Sequence, residues 1–378
     1  TLFEAASIMA GMIAAFLVRR WGVRTSFSAC AAGFVFGCII SYGAQDMLTF
    51  QVGRFFQALA GAAFVSLASI SVARMFPVAL IARGGSIIAI VGGFAAFSGP
   101  LVGGLFSEFA TWREAFIYLI IFGSILTLLS LTLLGRHPAL ASPIKLGKGE
   151  NFPTLRMLVL LAGVMSIASA AIEISWTLTP ALVACGIILL GLFLWLDGRS
   201  GERRLLPLGA TRPSTRVGAA SLMVVTLSAA VIGISTFGPV LFVVLYDIPP
   251  VQIGFMMFTA SLGWTLAEVV FSGTPSAREG RIIMLGAAMV LAGVSLFNIA
   301  VHTDQIWLLA VGFMLDGAGF GAAWNLIARR QIADSSGLEK DRIAGSIHTM
   351  QRIGTALGAA TLGILANAQG FSETMSPE

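Results

Sequence analysis

An aspartate stands in the middle of an apolar run at FMLDGAGFG (313–321), and four other ionisable side chains share its setting: Arg54, Glu268, Arg352 and Glu4. If those runs cross a membrane, each such group costs roughly 3 kcal/mol or more, which makes it a functional candidate by default. The chemistry on offer is reversible protonation. Apolar surroundings favour a neutral carboxyl, and a nearby guanidinium favours the charged form. Asp316 is therefore the leading candidate for a proton carrier, with Arg352 or Arg54 as its charge partner. A fixed Asp316–Arg352 pair bracing two helices accounts for the same residues. Glu268, near one end of its run, and Glu4, near the start of the first, are further candidates for proton coupling or else interfacial charges.

These residues need elements to hold them, and composition says which. Of 378 residues 57% are apolar and 11% charged, with a mean hydropathy of +0.91. Soluble domains carry about 25% charged residues. The apolar residues come in blocks of about 20, the length that crosses a hydrocarbon core of roughly 30 Å. Twelve such spans are expected, near 1–18, 27–44, 48–73, 80–106, 114–135, 156–175, 177–196, 217–245, 252–272, 282–301, 305–327 and 343–367. The fold class is an all-α membrane protein.

The connectors between these spans alternate. Every second one is basic, and together they hold all of the 23 Lys and Arg except Arg54, Arg113 and Arg352. The others carry acids such as Asp46, Glu108, Glu114, Glu173, Asp247 and Asp304. Basic short loops stay in the cytoplasm. The excess of +5 is thus an orientation signal, and a nucleic-acid partner, which needs its bases gathered on one face, is excluded. The partner is a lipid bilayer. Residue 1 and the C-terminal FSETMSPE both lie outside on this reading, so one further span is expected before residue 1 and a matching one after residue 378. Cys30, Cys38 and Cys185 fall within apolar blocks and read as buried thiols, not a disulfide framework. His302 and His348 lie near span ends without ligand companions, and no metal site is expected. No phosphate-binding G-x-x-x-x-G-K-[ST] and no nucleophile elbow occurs, so neither an ATPase nor another enzyme is read here.

One span, IVGGFAAFSGPLVGGLF (90–106), carries five glycines and a proline. Such a choice weakens a soluble helix but suits lipid, where helices associate through close packing of small residues. Five stretches, the third overlapping this span, carry a resemblance. FLVRRWGVR (16–24) resembles the loop pattern G-x-L-A-D-R-x-G-R-R of the major facilitator superfamily: Arg20 and Gly22 fit, and Ala15, Arg19 and Val23 depart from it. RFFQALAGAA (54–63) resembles R-x-x-Q-G-x-G, with Arg54 and Gln57 in place. SGPLVGG (98–104) with TWREAF (111–116) resembles the antiporter motif and its following W-R pair. DGRSGERRLLPL (197–208) resembles the E-R-R-x-x-x-P-L loop, and RIAGSIHTMQRIGTALGAA (342–360) a late helix, of the fourteen-helix drug:proton antiporter branch.

The resemblance implies a two-half bundle. Residues 1–135 would form the N-terminal half, 136–215 cytoplasmic loops with two inserted helices, and 216–378 the C-terminal half. It implies export of hydrophobic or amphipathic compounds in exchange for protons across a bacterial-type inner membrane, driven by the proton gradient without a bound cofactor. An accessory efflux partner is compatible with it. It assigns helix packing to Gly92, Gly93, Gly99, Pro100, Gly103 and Gly104, and cytoplasmic gating to Arg19, Arg20, Gly22 and Arg24. The chain holds 27 Phe, 14 Met and 7 Trp, soft side chains that suit a tolerant cavity. Gln57, Trp264, Trp324, Asn325 and Gln351 are its polar or amphipathic candidates. A transporter of one defined metabolite, a non-transporting sensor and an inactive fragment are the competing readings.

Overall fold

A computed structural model describes residues 2–109, 111–134, 153–170, 177–201, 204–246, 248, 250–303, 305–333, 335 and 337–368. Among them the regular structure is helical throughout. The helices are α1 (Leu2–Gly43), α2 (Met47–Met75), α3 (Ile81–Phe109), α4 (Glu114–Leu133), α5 (Thr154–Ser169), α6 (Leu178–Gly198), α7 (Arg216–Tyr246), α8 (Pro250–Phe271), α9 (Glu279–Thr303), α10 (Ile306–Ile332) and α11 (Gly337–Ala368). Helices are what lipid selects, because every backbone donor and acceptor then bonds within its own segment. Eight stretches of the described residues are long and apolar enough to cross a membrane. The run in α11 is not among them, since His348, Gln351 and Arg352 lower its hydropathy.

The expected loop at 19–26 is reduced to one residue. Gly22 stands at φ 76°, ψ 171° inside α1 and breaks it into two arms. Only glycine adopts that conformation without cost, so both arms stay helical up to the break. Ala14 and Val18 before it and Val23 and Cys30 after it share one core cluster with Ala63, Leu67 and Ile70 of α2. On the opposite side, Arg113 donates to the Ala44 carbonyl at 2.7 Å and lies 4.3 Å over the Trp112 ring, which ties α4 to the end of α1. Asp46 caps α2 by accepting from the Thr49 N–H at 2.8 Å, and that bond holds its carboxyl below the usual aspartate range. Cys30 and Cys38 are buried, but Cys185 is exposed. It lies on α6, where Ile187, Ile188 and Trp195 are exposed as well, as a lipid-facing helix allows.

Helix α10 sits between α8 and α9, and its glycines explain how. A Cβ at Gly317 or Gly321 would run into the backbone carbonyls of Ala260 and Trp264 on α8; at Gly312 or Gly319 it would meet those of Gly293 and Gly286 on α9. Backbone cannot step aside as a side-chain tip can. Gly317→Ala is therefore expected to destabilise the protein by about 1–3 kcal/mol. Gly191→Ala, where an added Cβ meets nothing, is the matched control. Thermal unfolding in detergent measures both, and equal midpoints would refute the close packing.

Helices α5 and α6 are stapled at one end. Arg156 on α5 pairs with Asp197 on α6 at 2.6 Å, and Asp197 also accepts from the Leu205 and Leu206 N–H groups at 2.8 and 2.9 Å. The chain then reaches Glu339 in the first turn of α11, ahead of the expected span at 343–367. Glu339 accepts from Arg342 at 3.1 Å, from Arg204 at 3.3 Å and from the Leu208 N–H. Burial opposes its charge, but these donors together hold its carboxyl below its ordinary value of 4.5. A depressed carboxylate stabilises above that ordinary value and loses the contribution as pH falls through the folded one. The protection of the Leu208 N–H, its exchange rate relative to a free amide at the same pH, is expected to be high at neutral pH and to fall on acidification below about 4.5. In Glu339→Gln the protection should be weakened already at neutral pH. Protection independent of both pH and Glu339 would remove this clamp.

Candidate functional site

A cavity of about 320 Å³ lies where α2 and α3 meet α8, α10 and α11. Small residues bring the walls together. A Cβ at Gly93 would collide with Thr265 on α8, and one at Gly85 with the Asn325 amide on α10. The aromatic wall is a ladder. Trp264 lies 4.7 Å from Phe320, Phe320 is stacked on Trp324 at 5.4 Å, and Trp324 is 5.4 Å from the His348 ring. Glu268 faces the same space and is only 3% exposed. Its Oε2 accepts from Trp264 Nε1 at 2.9 Å, one helical turn away. Ser69 Oγ and His348 Nε2, 2.7 Å apart, bridge α2 and α11, and Gln351 and Arg352 complete that side.

Of the residues expected around a substrate, Trp264, Trp324, Asn325 and Gln351 all line this cavity, and so do Glu268, Arg352, Gly92 and Gly93. Gln57 does not. It is buried between α2 and the second arm of α1, donating to the Gly37 carbonyl at 3.1 Å and to Ser41 Oγ at 2.9 Å. Its own Oε1 accepts from Arg54 at 2.8 Å, so Arg54 and Gln57 act together as a brace. Asp316 also lies elsewhere. It is 1% exposed, its backbone faces Gly293 of α9, and no hydrogen bond or ion pair joins it to Arg54 or Arg352 among the described residues. Helical geometry gives the reason: nine residues separate Asp316 from Asn325, which is half a turn around α10 and roughly 13 Å along it. The expected charge partnership is therefore absent from this structure.

The glycine-rich run contributes unevenly. Gly93 makes the close approach to α8 and Gly92 lines the cavity, whereas an added Cβ at Gly92 or Gly99 meets nothing within 4 Å. The side chains of Glu4 and Pro100, and the surroundings of Gly103 and Gly104, lie outside those described. In the first connector Arg19 is buried and Arg20 and Arg24 are exposed around the Gly22 break. Ser69, Gly85, Ser261 and Thr265 line the cavity without having been singled out, and His348, weighed only as a metal ligand, lines it too. Their signal was present as polar stripes at helical spacing. Ser261, Trp264, Thr265 and Glu268 mark one face of α8, and His348, Gln351 and Arg352 one face of α11.

A cleft closed by helices from both ends of the chain is the arrangement of one large transporter family, and the comparison is decisive. The sequence model of the Major Facilitator Superfamily matches residues 1–359. The chain belongs to that superfamily. Among its members, a probable multidrug-efflux transporter of Mycobacterium tuberculosis is 26% identical over 380 residues, covering 97% of this chain and 79% of the relative. The drug efflux pump JefA of the same organism is 26% identical over 368 residues, covering 94% and 70%. The solved human organic anion transporter MFSD10 superposes with a TM-score of 0.68 at 14% identity, over 96% of this chain and 76% of its own. The POT family transporter PepTSo gives 0.64 at 14% identity, over 99% and 83%. At such identities the structures speak to the fold alone. This Major Facilitator Superfamily protein is a multi-span helical membrane transporter, not an enzyme.

Proposed function

We propose that this superfamily member exports hydrophobic and amphipathic compounds in exchange for protons, as a drug:proton antiporter of the fourteen-helix branch in a bacterial inner membrane. The carrying observation is the aromatic cavity with Glu268 buried in its wall. Trp264 and Trp324, with Phe320 packed between them, offer aromatic surface to an apolar guest without fixing its outline, which suits a broad substrate range. The names of the curated relatives, multidrug-efflux transporter and drug efflux pump, support the same direction.

Proton carriage is assigned to Glu268 in preference to Asp316, because only Glu268 faces the space a substrate would fill. Protonated, it sits at low cost in an apolar wall. Charged, it keeps the Trp264 N–H and shares the cavity with Arg352. Substrate arrival alters that balance and expels the proton. The halves 1–135 and 216–378 then rock about the cavity, with 136–215 spanning between them. Export of a fluorescent lipophilic dye from energised cells is expected to stop when a proton uncoupler is added. Dye export that continues unchanged would end the antiport reading.

A further inference from the structure

A larger cavity, about 870 Å³, lies apart from the first at the end of the bundle that carries the arginine-rich connectors. Its wall is made by the start of α7, the connector between α8 and α9, the first turn of α9 and the last turn of α10. Four charged side chains line it: Arg216, Arg329, Arg330 and Glu279. Three guanidinium groups against one carboxylate leave the lining with a formal charge of +2. Glu279 is 4% exposed and accepts from Arg329 Nε and from Arg330 Nε, each at 2.7 Å. It thereby fixes the orientation of two guanidinium groups at the wall, and Arg329 is held again by the Thr274 carbonyl. The α9 helix begins at Glu279, so the positive end of its dipole lies beside the same space. Beyond Thr274 and Ser276 of the connector, most of the remaining wall is apolar, with Ala219, Ala220, Met223, Ile283 and Ile327 among it.

Oriented guanidinium groups recognise phosphate oxygens, and a basic pocket between membrane helices at the headgroup level is the physical form of a phospholipid site. We propose that this cavity binds a phosphate group, supplied by an anionic phospholipid whose acyl chains follow the apolar wall past Met223. The choice of the cytoplasmic leaflet rests on the orientation given by the basic connectors; the phosphate site itself needs no transport activity. It is separate from the aromatic cavity and shares no lining residue with it.

Native mass spectrometry of the purified full chain tests this with phosphatidylglycerol, phosphatidylcholine and inorganic phosphate as probes. Phosphatidylglycerol should be retained in clear preference to phosphatidylcholine. Arg216→Gln with Arg330→Gln should lower that retention by about five-fold per guanidinium removed. Arg278→Gln with Arg281→Gln takes two charges from the same connector and the first turn of α9, at positions that do not line the cavity, and should leave retention intact. Arg329 stays in place, so Glu279 keeps a partner. Should the cavity pair fail to fold, Arg216→Gln alone decides, since it leaves the Glu279 contacts untouched. Retention that survives excess inorganic phosphate identifies the lipid as the source; displacement by phosphate identifies a free phosphate anion in the same site. Equal retention of the two lipids, or an equal loss in the connector pair, overturns the proposal.

Discussion

In Glu268→Gln, dye export driven by a pH gradient is expected to fall by about a hundred-fold, the scale on which one positioned proton-transfer group acts. Binding of the dye should survive, because the amide preserves shape and accepts the same Trp264 N–H. The physical ground is the seat of the side chain. It is nearly inaccessible, it shares a wall with the aromatic ladder, and its oxygen is oriented by the residue one turn earlier on α8. Asp316→Asn is the counterpart. Asp316 is at least as buried, but it does not line the aromatic cavity, its backbone abuts Gly293 of α9, and its Oδ1 has no hydrogen-bond partner among the described residues. Coupled export should persist in that variant. Dye transport in proteoliposomes with an imposed pH gradient separates the two; coupled export lost in Asp316→Asn and kept in Glu268→Gln would reverse the assignment.

The second large effect concerns stability. Glu279→Gln should cost about 3–5 kcal/mol, because removing one member of a buried ion pair strands the other. Glu279 is the shared acceptor of two arginines, and the Arg329 side chain is only 10% exposed. Arg330, 45% exposed, can turn to solvent, so the loss falls chiefly on Arg329. The double variant Glu279→Gln, Arg329→Gln should recover part of the loss, since it removes both charges at once. Unfolding midpoints in detergent, combined as a double-mutant cycle, give the coupling. Additive losses would show that the pair contributes little.

Depth along a helix was legible in the sequence; direction around it was not. The connector charges and the apolar block lengths marked out the helices, and the drift at 19–26 arose because one glycine can turn the chain without unwinding either arm. Four of the five substrate candidates surround one cavity because Trp, Asn and Gln within an apolar run have few other uses. Gln57 met a different demand, the open carbonyl of Gly37 and the Ser41 hydroxyl on α1. Asp316 drew attention by standing mid-span, yet what matters for chemistry is which neighbour its side faces. That depends on the packing of α9, α8 and α3 around α10, a non-local property. Glu268 lies nearer the end of its run and attracted less notice, although Ser261, Trp264 and Thr265 on the same face of α8 already pointed inward.

The glycines of α10 set a mechanical limit. With peptide groups abutting on two opposite flanks, α8, α9 and α10 behave as a single stiff plate that carries Trp264, Glu268, Trp324 and Asn325 without altering their mutual spacing. Across to α3 the described joints run through side-chain tips: Gly85 to Asn325, Gly93 to Thr265 and Ser86 to the Glu268 carbonyl; α2 meets α11 through Ser69 and His348. Opening is expected along those joints. Spin labels placed within the plate should keep constant separations through the cycle, and labels straddling the joints should report its opening.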